Sequence, residues 1–318
     1  MVGPSTWRAS DAAVEPAPPS RRAARAAARA RRSAGRRPLV AVLLVMLLVV
    51  GSVLQWGAHQ PGGVVVALGE LVNGTSGSAP AATAEPAERQ AVDLPPAGFE
   101  EQTTPLGQPP QVDSNGSPYA FVSVTELADG STRPVAWSPC RPIHYTVNAA
   151  GAPARFAADV DAVMAELSAA TGLQVVNDGL TDEPLSLERQ AYLPQLYGDR
   201  WAPVLVQFAD AGTYPELAGD VAGMGGAVAM TRSDLDYSVY VSGGVALDTT
   251  LLTRTDVGGE PAYLPVLRHE LGHVLGLDHV DDPTQLMNAT ISAGVTTYQA
   301  GDRAGLALLG NGPCAPAL

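Results

Sequence analysis

Residues 269 to 279 read His269-Glu270-Leu271-Gly272-His273-Val274-Leu275-Gly276-Leu277-Asp278-His279, and Met287 follows eight positions later. Three of the five histidines in the chain fall inside this short run. On a helix, residues four apart lie one above the other, so His269 and His273 can offer two imidazole nitrogens to one metal ion. Glu270 stands one step round the helix, within reach of a water on that ion without being a ligand. Gly276 is the residue type that ends a helix with positive φ and lets the chain swing back. That swing carries His279 to a third corner. Three neutral imidazoles with one position left open make the donor set of a catalytic zinc ion, whereas a structural zinc site closes all four positions. A bare H-E-x-x-H occurs by chance in unrelated helices; the glycine and third histidine at fixed further offsets argue against coincidence.

This run, together with Leu286-Met287, resembles the metzincin zinc peptidases and their Met-turn. The gap from His279 to Met287 is similar to that of the matrixin branch. The resemblance implies that His269, His273 and His279 bind zinc and that Glu270 is the general base. It also implies that Met287 forms an apolar floor beneath the metal. The activity implied is that of a zinc-dependent endopeptidase, with protein or peptide substrates cut by a water activated by Glu270. Val280 stands where matrixins usually carry serine, and Asn288-Ala289-Thr290 where they carry a Pro-x-Tyr wall. Astacin-like and serralysin-like relatives place a tyrosine where this chain has Ala289. The resemblance is strong over residues 262–290, extends over 140–310 and is absent before that. A zinc-containing envelope module that binds without cutting is the alternative function, and the intact Glu270 favours the enzyme.

The elements that must position these residues are legible from periodicity. Leu264, Leu267, Leu271 and Leu275 form one apolar stripe from about residue 262 onward. At about 100° per residue, His269 and His273 project from nearly the opposite side, towards a cleft. Strands are predicted at 119–125, 133–137, 143–148, 173–177, 203–208, 227–231 and 238–246, with Asp129-Gly130 as a turn. Helical spacing runs from 154 to 171, stopping at Gly172, and again from 300 to 309. That order is similar to a metzincin domain, and the resemblance implies an α+β fold: a mixed, mostly parallel twisted sheet with an active-site helix. The strand around Ala227 would then be the cleft edge, where an extended substrate adds as a further strand.

A length of 318 residues allows one or two domains and a full core. The sequence has no lysine, and nine of its arginines precede residue 38 against only Asp11 and Glu15, a net +7. With a chain total of −13, the remainder carries −20. A basic head on an acidic body reads as a topology signal; the acidic body would repel phosphate backbones, so no nucleic acid is expected. Residues 1–37 read as a disordered cytoplasmic tail, in which Arg36-Arg37-Pro38 is a weak match to a twin-arginine export signal. Residues 38–58 read as a transmembrane signal anchor with Trp56 at the interface. A cleaved signal peptide, giving a secreted protein, is the competing reading. Residues 59–118 are a Pro/Gly/Ala-rich linker, apart from an apolar patch at 64–72 with no assigned role. The zinc peptidase domain then fills 119–318 outside the cytoplasm.

The cysteines Cys140 and Cys314 both lie in the exported part, and an even count in an oxidising compartment reads as one disulfide. A matrixin-type latency thiol at Cys140, within Ser138-Pro139-Cys140-Arg141-Pro142, is the sharper alternative, and free thiols a third. A latency thiol belongs in a separable propeptide, whereas Cys140 lies three residues before a predicted core strand. Structural calcium is compatible with loops such as Asp234-Leu235-Asp236, although no pattern there specifies it. Oligomeric state and substrate preference are not encoded in any motif of the chain.

Overall fold

The computed structural model describes residues 5–8, 94–127, 129–231, 237–254, 259–290, 292 and 294–318. The apolar segment at 38–58, the linker up to residue 93, most of the tail and Asp234-Leu235-Asp236 lie outside the described residues. Among the described residues, no helix is long and apolar enough to cross a membrane.

In chain order the strands are β1 (Ser5–Arg8), β2 (Ala120–Phe121), β3 (Val124–Glu126), β4 (Thr132–Pro134), β5 (Ala136–Trp137) and β6 (Ile143–Asn148). Helix α1 (Phe156–Thr171), β7 (Val175–Leu180), the single turn α2 (Pro194–Tyr197), β8 (Val204–Ala209), β9 (Val221–Thr231) and β10 (Ser238–Asp248) follow. The chain closes with α3 (Tyr263–Leu275), β11 (Leu277–Asp278) and α4 (Ala300–Leu309).

The main sheet runs in the order β1-β9-β10-β8-β6-β7, with β5 also on β10. Its inner ladders β10/β8, β8/β6 and β6/β7 are parallel, as is β5/β10; β9 and β1 run antiparallel. The fold is therefore α+β with a mixed, mostly parallel sheet. β8 shows why: all six of its residues are buried, and a strand covered on both faces carries a nearly continuous apolar run, here broken by Gln207. Against the sheet, α1 buries Phe156, Val160, Val163, Met164 and Leu167, the expected stripe. Phe156, Phe208 and Tyr263 meet as an aromatic trio with centroids 4.8 to 5.9 Å apart, tying α1, β8 and α3 into one core. The Tyr263 hydroxyl donates to the Asp159 carboxylate of α1, satisfying the polar tip of that trio.

Three features differ from expectation. β9 is eleven residues long and starts at Val221, not near Ala227. Its first half contains Gly223, Gly225 and Gly226, which erase the apolar alternation that marks a strand. Those glycines are demanded by α3: a Cβ on Gly225 would lie 2.2 Å from the Glu270 carbonyl oxygen, and one on Gly223 2.9 Å from Glu270 Cγ. Next, the stretch from 94 to 118, read as linker, packs on the domain. The N–H groups of Gln102 and Leu106 donate to the carbonyls of Cys140 and Pro139 at 2.7 and 2.9 Å, and this stretch belongs to the same compact unit as the strands and helices that follow it. Backbone bonds hold this strap, so its composition gives no sign of it. Finally, Ser5–Arg8, inside the tail read as disordered, pairs with residues 221–225 of β9, where the sheet would otherwise expose unpaired backbone groups.

Candidate metal centre

Every residue of α3 is buried, from Tyr263 to Leu275, so the histidines do not look out on an open face as the leucine stripe alone suggests. β9 covers one side of the helix through its glycines. On another side, Arg268 pairs with Glu166 of α1 and with Glu260, both at 2.8 Å, and donates to the Thr296 carbonyl. The Tyr298 hydroxyl donates to the Arg268 carbonyl.

Helix α3 ends as its sequence requires. Gly276 takes φ 117°, and its N–H closes onto the carbonyls of Gly272 and His273. The chain reverses there, and His279 comes back over the helix. The Nε2 atoms of His269, His273 and His279 then form a triangle with every side 3.1 Å. Zinc–nitrogen bonds of about 2.0–2.1 Å at tetrahedral angles place nitrogens about 3.3 Å apart, so the triangle has the right size to share a single ion.

The protonation pattern agrees. His269 Nδ1 donates to the Leu286 carbonyl and His273 Nδ1 to the Leu277 carbonyl, each at 2.7 Å, which leaves a lone pair on each Nε2. Burial, reinforced by the neighbouring imidazoles, pushes His269 well below the usual histidine range and His273 down to about 3. Burial also lowers His279, against the opposing Asp278 carboxylate. Two Nε2 lone pairs fixed by their tautomers, with the His279 Nε2 at the same distance from both, suit a cation. Glu270 is fully buried, and neither carboxylate oxygen has a hydrogen-bond partner among the described residues. Burial holds its carboxyl well above the usual range, with the Gly225 backbone acting weakly the other way. A buried carboxylate on the residue next to the first of three converging imidazoles fits a site built for zinc and a reacting water.

Met287 is buried against α3 at Gly272. A Cβ on Gly272 would come within 2.6 Å of the Met287 sulfur, so the helix presents bare backbone to the methionine. The Met287 carbonyl accepts from Val280 N–H at 3.0 Å, tying the turn to the residue after the third histidine. Asn288 Nδ2 donates to the Val280 carbonyl at 2.8 Å and so braces the same connection. Asp278 accepts the N–H of His279 at 2.7 Å, while Asp281 is exposed. Asp302 is the residue that periodicity missed. It is buried on the first turn of α4 and accepts N–H bonds from Leu286, Met287 and Gln299 at 2.8, 3.2 and 2.8 Å. The only sequence signal for it was an acid on the first turn of a helix, which reads as a cap.

Cys140 and Cys314 are joined in a disulfide. Cys140 is fully buried beneath the strap, which removes the latency-thiol alternative. Residues Glu101, Ser138 and Arg141 surround it. The Glu101 carboxylate accepts from Ser138 Oγ and Ala315 N–H, both at 2.5 Å.

A crystal structure of archaemetzincin from Methanopyrus kandleri is similar at 16% identity over 51% of this chain and 92% of that one, with a TM-score of 0.28. No curated protein matches the chain. Residues 238–309, under a quarter of the sequence, match the matrixin family. They span the three histidines, Glu270, the methionine turn and Asp302, so the part of the chain that builds this centre is similar to a matrixin peptidase.

Proposed function

We propose that the chain is a zinc-dependent endopeptidase acting on proteins outside the cytoplasm. One observation carries the reading: three Nε2 atoms converge at 3.1 Å, and the residue after the first of these histidines, Glu270, is a buried carboxylate with no hydrogen-bond partner among the described residues. When bound, zinc supplies a Lewis acid that polarises the scissile carbonyl and lowers the pKa of a water towards about 7. His269, His273 and His279 hold the ion, with the Leu286 and Leu277 carbonyls fixing two of the three rings. Glu270 takes the proton of the attacking water at a carboxylate oxygen and delivers it to the leaving amine. Met287 keeps the floor of the site apolar. Residues 226–231 of β9 run beyond the β1 ladder, and a substrate in extended form can add there through its main chain.

The disulfide supports an oxidising, extracytoplasmic location. It accords with a membrane anchor at 38–58 that keeps the arginine-rich head inside. Digestion of a peptide library by the full chain, with and without a chelator, tests the activity. Cleavage that stops on chelation and returns with zinc is expected. Glu270→Gln should keep zinc, read by metal analysis, and lose cleavage. Turnover surviving that substitution removes Glu270 from the chemistry.

A further inference from the structure

We infer that the entry strand β2 is a positioning element of the metal centre, setting two of the three histidines through residues 276–279. This rests on the reading of the triad as a zinc site. β2 pairs antiparallel with β11, Phe121 opposite Leu277 and Ala120 opposite Asp278. The N–H of Val122 donates to the Gly276 carbonyl at 2.9 Å, just past the end of α3. Both paired residues of β11 act near the ligands: Leu277 supplies the carbonyl that holds His273 Nδ1, and the Asp278 carboxylate accepts the main-chain N–H of His279. Carbonyls and carboxylates that orient ligand imidazoles tune metal affinity.

β2 is itself fixed from the far side, by α4. A Cβ on Gly301 would lie 2.1 Å from the Pro118 carbonyl oxygen, and one on Gly305 3.2 Å from Tyr119 Cβ. Tyr119 also packs against Phe121, with ring centroids 5.7 Å apart. A displacement of 118–122 therefore moves the Leu277 carbonyl and the approach to His279. His269 answers to a different contact, the Leu286 carbonyl, whose peptide N–H on Met287 donates to Asp302. Loosening β2 should disturb His273 and spare His269.

The experiment is zinc titration of the full chain against a competing chelator, with imidazole 15N resonances of the zinc-loaded protein. Val122→Pro removes the N–H that β2 gives to Gly276; Val122→Ala keeps it. Val122→Pro should weaken zinc about 10-fold or more and shift the His273 signals while those of His269 stay. Val122→Ala should behave as wild type. Tyr119→Ala, at a position 40% exposed, leaves every backbone donor in place and should shift His273 in the same sense but less. It keeps the test open should the proline variant not fold. Equal zinc binding by all three variants overturns the inference, as do joint shifts of His269 and His273. Failure of the wild-type chain to bind zinc would instead overturn the metal-site reading beneath it.

Discussion

Replacing Asp302 by alanine should loosen the floor of the centre without touching a metal ligand. The carboxylate accepts three backbone N–H groups, from Leu286, Met287 and Gln299. The first two bonds are buried; the third lies at the partly exposed start of α4, where water can take its place. An unsatisfied buried donor costs roughly 1–3 kcal/mol, so two come to about 4 kcal/mol. Burial holds the Asp302 carboxyl above its usual range despite its donors, so part of that gain is offset in the native protein. About 3 kcal/mol remains. For a domain of this size, about 2–4 °C of melting temperature per kcal/mol gives a drop of about 6–12 °C. Released from Asp302, Leu286 no longer fixes the carbonyl that orients His269, and zinc affinity should fall about 10-fold to 100-fold. Thermal unfolding by circular dichroism and zinc titration against a chelator read the two effects. A melting temperature within about 2 °C of wild type, with unchanged zinc affinity, would refute the clamp.

Reducing the Cys140–Cys314 bridge, or replacing both cysteines by serine, releases a closure across 174 positions. The chain-entropy relation assigns it up to about 5 kcal/mol, read as a fall in the denaturation midpoint. Gly225→Ala forces a Cβ against the Glu270 backbone at 2.2 Å, and since neither strand nor helix can yield cheaply it should cost about 3 kcal/mol and most activity. A melting temperature unchanged in that variant would mean that β9 does not lie on α3 as described. The metal-free chain should also be acid-sensitive. The unfolded histidines take up protons near the ordinary histidine value of about 6.5, while the folded His273 resists until about 3. Between those values the unfolded state binds more protons, so stability falls as pH drops through that window. Melting curves of chelated protein from pH 7 to 4 check the sign, and a flat profile would count against buried neutral imidazoles.

The triad and its helix were legible because local spacing dictates them: i and i+4 on one helix and a glycine at the reversal; Met287 was marked by the family resemblance alone. Most strands were legible for the same reason, with β6 read to the residue and β7 displaced by two or three. What escaped was set by contacts between distant segments. Asp302 looks like any acid on a first helical turn, and only the fold brings the methionine turn above it. Gly223 and Gly225 look like breaks in a strand until α3 lies across them. Alternation marked a strand at 119–125, but not the pairing of β2 with β11, whose residues lie more than 150 positions downstream. The strap from 94 to 118 is prolines and polar residues held by main-chain bonds, which composition cannot distinguish from a free linker.

The covalent link between Cys140 and Cys314 has a consequence for how the protein is made. A ribosome releases the first cysteine long before the second, and the thiol must wait unpaired through synthesis of β6, α1, the inner sheet and α3. β11 and α4, on which the imidazole cluster depends, also arrive late. Such long-range closure slows the final collapse, so biogenesis should lean on whatever shields a nascent thiol and an unfinished sheet from strangers. The domain then becomes competent in one late step, when its last helix docks.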